Sequence, residues 1–62
     1  MDMLLHLKIA IISSGQSQRQ LARSCSIGEA RMSSIVNGWV RPTEDERRRV
    51  SIALGIAENE LF

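Results

Sequence analysis

Residues 17–37 read SQRQLARSCSIGEARMSSIVN, and the spacing within this stretch decides the fold. Ser17 is suited to an N-cap, because its hydroxyl can accept one of the backbone N–H groups left free at a helix start. The spacing predicts a short helix from Gln18 to Ser24 or Cys25, with Leu21, Ala22 and Cys25 on its inner face. After Ser24 and Ser26 a second helix begins near Gly28, where Met32, Ile35 and Val36 recur at i, i+3 and i+4. Asn37-Gly38 ends it, both residues tolerating the left-handed conformation found past helix ends. A small Ala22 lets the two helices approach, and Cys25, Ile27, Met32 and Ile35 are placed to lock their angle, leaving the outer face of the second helix free.

Outward from this pair the pattern stays helical. Before it, Leu4, Leu7, Lys8 and Ile11 fall at spacings of three and four and with Ala10 give a helix with a continuous apolar stripe, ended by Ser13-Ser14-Gly15. Ile9 and Ile12 widen that stripe, and the expectation is a helix packed by several neighbours, with a protein contact as the alternative. After it, Trp39 to Pro42 is a short loop. Thr43 with Glu46 three residues on is a capping-box pattern, predicting a helix from Glu44 to Leu54 that Gly55 ends. Ala57 to Phe62 forms one more turn, and Ile56, Leu61 and Phe62 fold back onto the core. The expected fold is all-α, one compact domain of four to five helices over residues 1–62. No repeat, low-complexity tract or strand pattern interrupts it.

Composition narrows the function classes. A chain of 62 residues buries only about 60% of its unfolded surface, which leaves little room for a deep active-site cleft. The apolar stretch Met3 to Ile12 is broken by His6 and Lys8 and is far shorter than the roughly 20 residues that span a bilayer. Asp2 stands where a secretory leader would be basic, so a cytoplasmic protein without membrane contact is expected. Cys25 is the only cysteine and His6 the only histidine, so neither a disulfide nor a metal site is expected. Cys25 is expected as a small core residue, His6 as solvent-exposed and Trp39 as partly core. The net charge is +1, but Arg19, Arg23, Arg31 and Arg41 face only Glu29 between residues 14 and 42, while acids outnumber bases beyond residue 43. This polarity suits a nucleic-acid binder better than the net value does. No nucleophile with a base, paired carboxylate site or phosphate-cradling glycine loop is present, so no enzyme, cofactor or small-molecule ligand is expected.

The ordered combination SQRQLAR, IGEARMSSIVNG, RPT and ALGI followed three residues later by ELF resembles the Cro and phage-repressor (Xre-type) helix-turn-helix family, without a gap from about Leu7 to Phe62. The resemblance implies a lambda-repressor-like DNA-binding domain whose third helix lies in the major groove. It implies that Gly28, Glu29, Ala30, Ser33 and Ser34 read base edges. Ser17, Gln18, Arg31, Asn37, Gly38 and Arg41 would meet the DNA backbone. Glu29 suits a cytosine amino group and Ala30 a thymine methyl, while Arg31 is placed for a phosphate or for an ion pair with a neighbouring carboxylate. The partner implied is a near-palindromic double-stranded operator bound by a homodimer, with Trp39 and Val40 as candidate dimer contacts. Two departures stand out. Ser26 occupies a turn position where the family has glycine, implying a strained left-handed serine or a reshaped turn. Trp39 and Val40 replace basic residues, weakening contact with the phosphates. The alternative is an interaction module of antitoxin or anti-repressor type on the same fold. The run Glu44 to Arg49 is expected to be a solvated helix face.

Overall fold

The computed structural model describes residues 4–62, so Asp2 and the first residue of the Met3 to Ile12 stretch lie outside the described residues. Five helices follow one another: α1 (Leu5–Ser13), α2 (Gln18–Ser24), α3 (Glu29–Val36), α4 (Glu44–Leu54) and α5 (Glu58–Leu61). No strand occurs among the described residues, and the all-α expectation holds.

The helix boundaries follow from local chemistry. At α2 the Ser17 hydroxyl accepts from Gln20 N–H (3.1 Å) while the Gln20 side chain accepts from Ser17 N–H (2.8 Å). The same reciprocal box forms at α4 between Thr43 and Glu46. Each satisfies two backbone donors that would otherwise lack partners. Gly55 ends α4 at a φ of 69°.

Leu7, Leu21, Met32, Ile35 and Val50 are fully buried, and Leu61 of α5 closes the core from below. Thus every helix sends at least one side chain into a single core. Cys25 is among the buried residues, and burial pushes its thiol pKa up. Ile56 and Phe62 are half-buried against the same cluster. The α2 and α3 helices pack most closely against each other, and Ala22 of α2 is buried in the core. Leu4 N–H donates to the Val36 carbonyl (2.9 Å), tying the chain before α1 to the end of α3.

Three expectations need correction. Ile9 and Ile12 are not packed by several neighbours: with Leu5 they remain 51–68% exposed, because the core of so small a chain reaches only one side of α1. Trp39 is not partly core but 66% exposed, since the loop after α3 carries it away from the cluster. The face from Glu44 to Arg49 is only partly solvated. Glu46 keeps just 12% of its side chain exposed beneath Arg31, and Arg49 Nη1 donates to the Cys25 carbonyl at the end of α2 (3.2 Å).

Candidate nucleic-acid interface

The connection between α2 and α3 sets how α3 is presented. Ile27 N–H donates back to the Ala22 carbonyl (2.9 Å) and Ser26 N–H to Arg23 (3.2 Å), the paired bonds of a left-handed helix exit. Ser26 sits at a φ of 56°, so of the two conformations open to it the serine adopts the left-handed one rather than a reshaped turn. Gly28 is the N-cap of α3 with ordinary extended backbone (φ −62°), and a side chain there would meet nothing within 4 Å. No side chain caps α3, in contrast to α2 and α4, so its first backbone N–H groups stand uncovered.

The starts of α2 and α3 converge. Ser17, Gln18, Arg19 and Glu29 line one shallow depression, and Arg19 Nε lies 2.8 Å from Glu29 Oε1. Gly28, Glu29 and Ala30 are exposed beside it, while Ser33 and Ser34 one turn on are half-buried. The Ser34 hydroxyl donates to the Ala30 carbonyl (3.1 Å), leaving its oxygen able to accept. Asn37 Nδ2 donates to the Ser33 carbonyl (2.8 Å), which holds the amide against its own helix.

Past α3 the chain is closed tightly. Gly38 is buried at a φ of 77°, a conformation costly for any residue with a Cβ, and its N–H donates to Ile35 (3.0 Å). Trp39 N–H donates to Ser34 (2.9 Å). Asn37, whose φ is −78°, does not share the left-handed geometry. Because these N–H groups are engaged within the fold, Asn37 and Gly38 present a shaped backbone rather than donors. Arg41 is exposed. Val40 is half-buried and shares a hollow with Leu4, Pro42 and Phe62, so of the two candidate dimer contacts only Trp39 stands clear.

Arg31 faces Glu46. Its Nε donates to Glu46 Oε2 (2.6 Å) and its Nη2 to Oε1 (2.9 Å), a two-pronged pair. Those hydrogen bonds hold the Glu46 carboxyl at a pKa of about 2, against the opposing effect of burial and with help from Thr43 N–H. Glu46 therefore caps α4 and clamps α3 with one carboxylate. Neither this double role nor the Arg19–Glu29 pair has a local signature: Arg31 and Glu46 are separated by a helix end, a loop and a cap, and only the folded chain brings them together. The hydrogen bond from Arg49 to the end of α2 is equally long-range. His6 is exposed. Among the described residues no cluster of three or more His, Cys, Asp or Glu side chains forms, and no helix is long and apolar enough to cross a membrane.

No family model matches the chain, and no curated protein sequence does. Among solved structures, the chain superimposes on the crystal structure of the restriction-modification controller protein C.AhdI from Aeromonas hydrophila with a TM-score of 0.85. That match covers 92% of this chain and 86% of the other at 23% sequence identity. At that identity the likeness carries the fold, and it extends over nearly the whole chain.

Proposed function

We propose that this chain is a sequence-specific double-stranded DNA-binding transcriptional regulator, acting in the cytoplasm as a Cro-like repressor on a near-palindromic operator. The observation that carries the reading is the convergence of two helix starts. Ser17, the N-cap of α2, and Gln18 border the exposed, uncapped beginning of α3, and α2 packs against α3. A protruding helix held in this way fits the major groove, with its early residues at base edges and the neighbouring helix start at a phosphate. In this docking Glu29 accepts from a cytosine amino group, Ala30 meets a thymine methyl, and Gly28, Ser33 and Ser34 complete the base contacts. Ser17, Gln18, Arg31, Asn37, Gly38 and Arg41 follow the phosphates. The likeness in fold to a restriction-modification controller protein accords with a regulatory role.

A second reading, an interaction module of antitoxin or anti-repressor type, is favoured by one observation. Arg19 and Arg31, two of the cations nearest the reading face, are each paired with a carboxylate. Selection of bound duplexes from a random pool, followed by a salt titration of the winners, separates the two. DNA reading requires a recovered two-part motif with half-sites about one helical turn apart and affinity that falls steeply with salt. Recovery of no motif, with negligible affinity at any salt, would overturn it in favour of the interaction module.

A further inference from the structure

Helix α1 carries aliphatic side chains on two opposite faces, separated by His6 and Ser13 on one side and by Lys8 on the other. Leu7, Ala10 and Ile11 enter the core, whereas Leu5, Ile9 and Ile12 are 58%, 51% and 68% exposed. At 3.6 residues per turn these three fall in one stripe about 60° wide. A helix with two apolar faces calls for a cover on each, and the core of this chain covers only one of them. Ile52 is also exposed, but it stands singly on α4, and isolated exposed aliphatics are ordinary on a protein surface.

We propose that the outward face of α1 is a self-association surface, covered by α1 of a second copy of this chain running antiparallel to it. The spacing of the stripe identifies the occupant. A two-fold interface must be its own complement, and Leu5, Ile9 and Ile12 are spaced nearly symmetrically about their middle. An axis beside Ile9 sets Ile9 against the partner's Ile9 and Leu5 against the partner's Ile12. The charges agree with such a seam. The helix carries no carboxylate, and Lys8 is its only formal charge. Lys8 flanks the stripe, where its methylene stem covers the edge while the ammonium stays in water. No charge pattern on this face selects a partner of opposite sign. Two helical turns bury less than the about 800 Å² per partner of a standard interface, so the association is weak and reversible. Because the two copies of Lys8 lie on the same edge of the seam, salt strengthens it by screening them. This contact lies on α1 rather than at Trp39 and Val40, and it holds whether or not the chain reads DNA.

Sedimentation equilibrium of the full chain without DNA, from about 10 µM to about 1 mM, spans the range that a seam of this size requires. The expected result is a monomer–dimer equilibrium that tightens with salt. Ile9→Lys and Ile12→Lys each raise the Kd by at least about tenfold, as loss of a central apolar contact does, and Trp39→Ala leaves it unchanged. Both aliphatic sites are exposed, so circular dichroism of these variants should match the parent. Cross-linking in oxidised glutathione tests the register: Ile9→Cys couples to itself, while Leu5→Cys couples to an Ile12→Cys chain and not to itself. Cys25 is buried and stays out of the exchange. A chain monomeric throughout, a dimer indifferent to Ile12→Lys, or a dimer abolished by Trp39→Ala would overturn the proposal. Self-coupling of Leu5→Cys would overturn the antiparallel register.

Discussion

Glu46 shows how much one side chain can organise in a chain of this size. Its carboxylate accepts from Thr43 N–H at the start of α4 and from two guanidinium nitrogens of Arg31 on α3. These hydrogen bonds, those from Arg31 foremost, depress its pKa from an ordinary 4.5 to about 2. A depressed folded-state pKa means that the unfolded chain binds the proton more readily, so acid favours unfolding. The stabilisation is complete above about pH 4.5 and is lost as the pH falls towards 2. Glu46→Gln keeps an oxygen for the Thr43 N–H while removing the charge, which isolates the ion pair from the cap. The variant should melt lower than the parent at neutral pH, and the gap between their melting temperatures should close between pH 4.5 and 2. Thermal melts followed by circular dichroism across that window check this directly, and parallel profiles would show that Arg31 does not govern the titration.

At the scale of elements, the connection from α2 to α3 departs most visibly from what the residue types prefer. Ser26 takes a left-handed conformation that costs an L-residue roughly 1–2 kcal/mol relative to right-handed backbone, and its side chain makes no hydrogen bond among the described residues that offsets this. Ser26→Gly should therefore stabilise the domain by about 0.5–1 kcal/mol, after allowing for the greater freedom glycine adds to the unfolded chain. The midpoint of a urea titration should rise without a change in slope, and a fall would mean that the serine hydroxyl outweighs the backbone cost. The elements themselves were legible because their signals are local. Ser17 and Thr43 mark helix starts three residues ahead of their capping partners, and Met32, Ile35 and Val36 betray a buried face by spacing alone. The fate of Trp39, and of the second face of α1, was not legible. Periodicity records how apolar a helix face is, but not whether a chain of 62 residues has enough core to cover it. An ion pair for Arg31 was expected and forms, but the identity of its partner Glu46, like the pairing of Arg19 with Glu29, was hidden for the complementary reason, since both pairs form only across tertiary contacts.

For the whole molecule these pairs alter what the charge distribution means. Read along the chain, four arginines between residues 14 and 42 promise a strong field for phosphates. In the fold, Arg19 is held by Glu29 and Arg31 by Glu46, so part of that field is compensated within the chain itself. The two pairs are not equivalent. Arg19 and Glu29 are 71% and 61% exposed, and a solvated pair of this kind contributes little and opens readily to a competing phosphate. The Glu46 carboxylate is largely covered and held at two points, so Arg31 is withdrawn more firmly. Salt dependence reports the difference, because each phosphate neutralised adds about 0.9 to the slope of log K against log salt. Glu46→Gln should weaken the hold on Arg31 and steepen the slope by up to about 1 per copy on every duplex, whatever its sequence. In the proposed docking, Glu29→Gln should leave the slope closer to that of the parent, since its partner is already available, while shifting base preference at the position assigned to Glu29. Slopes from fluorescence anisotropy on one selected and one unrelated duplex distinguish these outcomes. A steeper slope for Glu29→Gln than for Glu46→Gln would place the stronger electrostatic restraint at the start of α3 instead of at its junction with α4.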